Sequence, residues 1–111
     1  MNTATISELG VHTTDHADGS VSVVVTGSLT VLTAAQLRRR LHATAEQQPA
    51  TIHVDLTDLN SLDAAGIVAV TAPLLKARRN GVRAEVSLPV RPSARDFADQ
   101  AGVLPLLNAL S

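Results

Sequence analysis

The feature that most constrains the fold is an alternation of short β-branched segments with longer segments of helical periodicity. Residues 21–26, 51–56 and 82–88 read as strands, and helical patterns open near Thr33 and near Asp63 between them. Strands that alternate with helices pair in parallel through right-handed crossovers, with the helices laid on the sheet. The sequence therefore predicts an α/β fold in the order β-β-α-β-α-β-α, followed by a tail.

The first two strands are predicted to form an antiparallel hairpin. Residues 9–14 form a weaker strand pattern, and Asp18-Gly19 is a dipeptide typical of hairpin turns. Gly27-Ser28 is expected to end the second strand. The segment after it, 57–62, reads as a loop between the third strand and the second long helix.

The sequence carries start signals for the helices. Thr33 to Gln36 fits a capping box, in which both side chains satisfy free N–H groups, and Asp63 is an N-cap candidate for the next helix. Pro73 lies inside that helix, where proline costs about 3 kcal/mol, so a kink or a break is expected. A third helix is predicted to start at 93–96 and to bury Phe97 and Ala101, with an apolar tail at 104–110.

Length and composition favour one globular domain over residues 1–111, with residues 1–8 frayed. The chain has no cysteine, so disulfides and thiolate chemistry are excluded. No apolar run approaches the roughly 18 residues of a membrane span, and the start lacks signal-peptide features. We therefore expect a cytoplasmic protein without direct membrane insertion.

Charge and aromatic content limit the kinds of partner. The net charge of −1 argues against a nucleic-acid binder, and the single aromatic residue, Phe97, provides no stacking platform. A protein-binding surface must then rest on aliphatic side chains, backbone groups and small polar residues. The basic residues cluster at 38–40 and 76–79, as solvated helix faces or as a patch that helps a partner dock.

The main functional signal is the junction at 55–66. An apolar strand passes into a polar loop, and the loop ends at Asp63-Ala64-Ala65-Gly66, where an apolar helix opens. Backbone N–H groups at such a helix start are free to hold or receive an anion.

This segment resembles the signature of the STAS domain family (sulfate transporter and anti-sigma factor antagonist), which reads Asp-Ser-Ser/Thr-Gly. The turn Gly27-Ser28-Leu29, the apolar helix after Gly66, Arg95 and the triplet at 102–104 also match, so the resemblance covers about residues 21–107. It implies a STAS-like mixed, mostly parallel sheet with helices packed chiefly on one side. No cofactor or metal is implied.

The resemblance further implies a regulatory function. In antagonist-type STAS domains the unphosphorylated form docks onto an anti-sigma factor with an ATPase-like kinase fold, and phosphorylation of the first hydroxyl after the Asp breaks docking. Ala64 occupies that phospho-acceptor position and cannot be phosphorylated, with Asp63 as its acidic neighbour. Thr30 stands where family antagonists often carry Asp. The expected partner-binding residues are Ser28, Leu29, Thr30, Ser61, Leu62, Asp63, Ala64, Ala65, Gly66 and Val68.

Three interpretations of the missing hydroxyl remain open. The domain is a permanently docking-competent antagonist, or Ser61 or Thr57 substitutes as the acceptor, or it is a STAS subunit of an ABC-type transport system. In the last case it binds the transporter ATPase without a phosphorylation cycle. Ser61 also fits the plainer role of a loop or capping hydroxyl. Each interpretation makes the chain a non-enzymatic protein-binding module.

The remaining polar groups favour structural roles. Asp55 and Asp58 are not expected to converge on a catalytic or metal site, and the hairpin residues 12–18, with two His and two Asp, read as a solvated turn rather than a metal site. His53 is expected to be packed, with one backbone partner. No Ser-His-Asp order or Gly-rich phosphate loop appears in the sequence, so an enzyme is not expected.

Overall fold

The computed structural model describes residues 9–92 and residue 94. The predicted third helix with Phe97 and Ala101, the tail, the frayed residues 1–8 and the family matches at Arg95 and 102–104 lie outside the described residues. The elements are β1 (Leu9–Asp15), β2 (Ser20–Leu29), α1 (Ala34–Glu46), β3 (Thr51–Asp55), β4 (Leu59–Leu62), α2 (Ala64–Arg79) and β5 (Arg83–Ser87).

The sheet is mixed and mostly parallel, as predicted. β1 and β2 form an antiparallel hairpin, while β2 pairs in parallel with β3, and β3 with β5, in the order β1-β2-β3-β5. The hairpin turn contains Gly19, whose φ of 88° is readily adopted only by glycine.

The prediction of a loop over residues 57–62 is wrong, because Leu59–Leu62 forms β4. This strand pairs in parallel with the end of β2, which continues past Gly27 through a β-bulge instead of ending there. Leu59 and Leu62 are buried while Asn60 is exposed. The strand is four residues long and its sequence pattern is weak, so its pairing with β2 decides its conformation.

The core lies between one face of the sheet and the two described helices. Alternate residues of β2, namely Val21, Val23 and Val25, are buried on this face, together with residues of β3 and β5. Leu37 and Leu41 of α1 are buried in the same cluster, and Ala45 packs against it. No helix within the described residues is long and apolar enough to cross a membrane.

The two helix starts differ. Among the described residues, the Thr33 hydroxyl makes no capping bond to α1; it donates to the Ser28 carbonyl at 2.7 Å and accepts from the Thr30 amide at 3.0 Å. The predicted capping box is therefore wrong, because the hydroxyl folds back onto the turn after β2. In contrast, Asp63 caps α2, and that helix runs unbroken through Pro73.

Candidate functional site

Asp63 fixes the start of α2 against the loop that follows β2. Its Oδ1 accepts a hydrogen bond from the Gly66 amide at 2.9 Å, which is the expected N-cap contact. Its Oδ2 accepts from the Val31 amide, also at 2.9 Å, and its own amide donates to the Leu29 carbonyl at 3.2 Å. One carboxylate thus links two segments that are 32 residues apart in the sequence.

Gly66 allows α2 to lie directly on the end of β2. A Cβ at this position would lie 2.5 Å from the Leu29 carbonyl oxygen and 2.8 Å from the Leu29 Cγ. Leu29 is fully buried, so its side chain has little room to move. The close approach of the helix start to β2 therefore requires a residue without a side chain.

Ala64 is the exposed residue in the first turn of α2, and other exposed aliphatic side chains lie near this helix start. Val68, one turn later, is 59% exposed, and Val31 and Leu32 in the loop after β2 are 71% and 83% exposed. The Asp63 carboxylate anchors this loop beside the helix start. We call Val31, Leu32, Ala64 and Val68 the apolar patch.

Ala64 and Val68 are among the partner-binding residues predicted from the sequence, whereas Val31 and Leu32 are not. In a sequence, large aliphatic residues directly before a helix start can be interpreted as buried just as easily as exposed. Their exposure follows from the tertiary structure, because Asp63 and Thr33 hold the backbone of this loop and leave both side chains pointing away from the core. Exposed large aliphatic side chains beside one helix start make this region a candidate interaction surface.

The other predicted site residues divide by burial. Three of them are buried beneath the surface of the site, namely Leu29, Leu62 and Gly66. Thr30 and Ala65 are half-buried and lie in the turn after β2 and in the first turn of α2. The half-buried Ser28 and Ser61 are partners in the parallel register of β2 and β4, so their side chains share one face of the sheet.

The two candidate substitute hydroxyls have different surroundings. The Thr57 hydroxyl donates to Asp55 Oδ1 at 2.6 Å, and the Thr57 amide donates to the same oxygen at 2.9 Å. These hydrogen bonds, the side-chain one foremost, lower the pKa of Asp55. Thr57 is thereby committed to this turn, whereas Ser61 lies in β4, three residues before Ala64.

His53 has side-chain partners rather than the predicted backbone partner. Its Nε2 lies 2.8 Å from Ser87 Oγ and its Nδ1 lies 3.4 Å from Glu85 Oε1. Arg83 Nε lies 3.9 Å from the other oxygen of Glu85. Because β3 and β5 are adjacent and parallel, side chains 32 and 34 residues apart meet on one face, which spacing in the sequence does not reveal.

The histidines and acids of the first hairpin do not converge on a metal site. Asp18 accepts hydrogen bonds from the Ser20 hydroxyl and amide, which lower the pKa of Asp18. His16 Nε2 lies 2.8 Å from Ser22 Oγ. Within residues 9–92 and 94, no group of three or more His, Asp or Glu is arranged to hold a metal ion. The basic clusters at 38–40 and 76–79 are exposed at every charged position.

The fold and this helix start correspond to a known domain family. The family model described as "Mlab, STAS domain" matches residues 12–107. The chain belongs to the STAS domain family. No curated protein matches the sequence significantly.

Several solved structures share this STAS fold. An anti-sigma factor antagonist from Mycobacterium paratuberculosis has a TM-score of 0.75 at 22% identity, covering 90% of this chain and 83% of its own. The anti-sigma factor antagonist SpoIIAA in its unphosphorylated form has a TM-score of 0.67 at 18% identity, covering 86% and 84%. Phosphorylated SpoIIAA, described as a Bacillus cell fate determinant, has a TM-score of 0.63 at 18% identity, covering 86% of each chain. At these identities the likeness establishes the fold.

Proposed function

We propose that this STAS domain is a non-enzymatic, cytoplasmic regulator of transcription that binds an anti-sigma factor with an ATPase-like kinase fold. The observation that carries the proposal is the exposed start of α2, held by Asp63 and flanked by the apolar patch. Two solved relatives of the same fold are described as anti-sigma factor antagonists. The fold shared with these antagonists supports a binding role for this chain.

The docking surface consists of the apolar patch and the neighbouring predicted site residues. Exposed Val31, Leu32 and Val68 supply apolar area that loses contact with water on docking, worth about 25 cal/mol per Å². The half-buried residues Ser28, Thr30, Ser61 and Ala65 border it. Since aliphatic groups dominate, shape and burial contribute more to this interface than charge.

Ala64 makes the domain permanently competent to dock. A phosphorylated hydroxyl at this position would add about −1.5 to −2 charges to the helix start and oppose burial against a partner. The alanine methyl group carries no charge and cannot accept a phosphoryl group. The partner is therefore regulated by the amount of this domain rather than by phosphorylation at position 64.

The Ala64→Glu variant separates binding from folding. A negative charge in the first turn of α2 interacts favourably with the helix dipole, so the isolated domain should gain about 0.5 kcal/mol of stability. Docking should weaken, because the charge would be buried in an apolar interface. Ala43→Glu is the matched control, since Ala43 is also an exposed helical alanine but lies in the second half of α1.

The test uses the intact chain and both variants as baits in lysate of the native cell, with mass spectrometry of the retained proteins. We expect an ATPase-fold anti-sigma factor that is retained by the native chain and Ala43→Glu and lost with Ala64→Glu. Isothermal titration with that purified partner then measures the affinities. Equal binding of Ala64→Glu refutes the docking surface, and specific retention of a transporter ATPase refutes the antagonist role in favour of a transport subunit.

A further inference from the structure

Ser87, His53 and Glu85 form a hydrogen-bonded chain that the docking function does not use. Ser87 Oγ lies 2.8 Å from His53 Nε2, and His53 Nδ1 lies 3.4 Å from Glu85 Oε1. The His53 and Glu85 side chains are 37% and 42% exposed and Ser87 is half-buried, so the group lies on a solvent-facing side of the sheet. A nucleophile, a base and an acid that orients the base are the components of serine activation.

The carboxylate selects the form of His53 that can act as a base. A carboxylate only accepts hydrogen bonds, so the neighbouring Nδ1 of the neutral ring carries the proton. Nε2 is then unprotonated and accepts the hydrogen bond from the Ser87 hydroxyl. In this form the ring can take the Ser87 proton, and Glu85 stabilises the imidazolium that results.

The first hairpin provides an internal reference with only half of this arrangement. His16 Nε2 lies 2.8 Å from Ser22 Oγ, the same distance as in the His53–Ser87 pair. Within the described residues, no carboxylate is bonded to the Nδ1 of His16, and the nearby Asp18 is engaged by Ser20. A difference in reactivity between Ser87 and Ser22 therefore reports the effect of the oriented base.

We propose that Ser87 is a reactive hydroxyl that accepts an acyl group from a neutral, activated ester. Ser87 Oγ forms a bond to the acyl carbon while His53 Nε2 takes the hydroxyl proton. The bond between the acyl carbon and the ester oxygen of the donor then breaks, and His53 returns the proton to the departing alcohol. The product is an ester on Ser87, formed once per chain.

The sheet also selects the donor's charge. Asp55 is the partner of Ser87 in the register of β3 and β5, so its carboxylate lies on the same face. This charge repels anionic donors. We therefore assign the site to uncharged donors.

The experiment treats the native chain with p-nitrophenyl acetate and follows acetylation of Ser87 and Ser22 by peptide mass spectrometry over time. Both serines have a histidine base at 2.8 Å, and only His53 is oriented by a carboxylate, so Ser87 should be acetylated at least about tenfold faster than Ser22. Glu85→Gln, which keeps the side-chain shape, should slow acetylation of Ser87 by about tenfold and leave Ser22 unchanged. Circular dichroism checks that the variant is folded.

Equal rates at Ser87 and Ser22 in the native chain would overturn the proposal without any variant. An unchanged Ser87 rate in folded Glu85→Gln would overturn it as well, because the carboxylate would then have no part in activation. The test contains no binding partner, so its result is independent of the docking function.

Discussion

Replacing Gly66 by alanine tests which effect decides the stability of the protein at this position, the close contact between α2 and β2 or helix propensity. In an exposed helix the change would stabilise the protein by about 1 kcal/mol, since alanine has less conformational freedom to lose. Here the new Cβ would lie 2.5 Å from the Leu29 carbonyl oxygen, whereas ordinary contacts begin at 3.4 Å. The start of α2 must therefore move away from β2 by roughly 1 Å.

That movement acts on backbone and on a fully buried side chain. Overpacking of this kind costs about 1 to 3 kcal/mol, and the upper end applies because Leu29 is held on the strand. The displacement also stretches the hydrogen bond from the Asp63 amide to the Leu29 carbonyl, now 3.2 Å. After the propensity gain is subtracted, we expect a net loss of about 2 kcal/mol.

Urea unfolding, monitored by circular dichroism, measures this loss of stability directly. The thermal midpoint should fall by about 8 °C, at roughly 4 °C per kcal/mol for a domain of this size. Ala43→Gly, at an exposed position of α1, calibrates the propensity scale and should cost about 1 kcal/mol. A Gly66→Ala protein that is as stable as the native chain, or more stable, would refute the close-contact reasoning.

Two further substitutions test the carboxylates that organise the site. Asp63→Ala removes both hydrogen bonds of the carboxylate and should lower the free energy of unfolding by about 2 kcal/mol. Asp63→Asn keeps an acceptor for the Gly66 amide and should lower it by only about 1 kcal/mol. Equal losses in urea unfolding would contradict the role of the carboxylate in two contacts. The Thr57 hydrogen bonds lower the pKa of Asp55 in the folded state. They therefore stabilise the folded protein above the ordinary aspartate pKa of about 3.9, and this stabilisation is lost as the pH falls through the lowered pKa. Asp55→Asn should therefore lose less stability than the native chain between about pH 5 and pH 2, and an identical loss would contradict this assignment.

Most of the fold was predictable because strongly patterned segments specify their own conformation. The three β-branched strands appear within a few residues of where the pattern predicts them, and α2 begins directly after Asp63 as expected. β4 was missed because a four-residue strand with two polar positions has no conformational preference strong enough to detect. The capping box at Thr33 was wrong because its hydroxyl had a closer acceptor in the preceding turn.

The candidate site was only partly predictable. Its centre, Asp63 to Gly66, was visible because a cap and a glycine at a helix start form a local pattern. The exposure of Val31 and Leu32 and the chain from Ser87 through His53 to Glu85 were not, since both depend on segments distant in sequence.

The sequence by itself determined the strongly patterned strands and helices, the cap on α2 and the absence of a hydroxyl at position 64, because each depends on neighbouring residues. The tertiary structure alone decided which distant residues these segments contact. Pairing of β2 with β4 brought the loop after β2 to Asp63, and pairing of β3 with β5 brought His53 to Ser87. Such contacts depend on register between strands, and register is fixed only when both strands share one core.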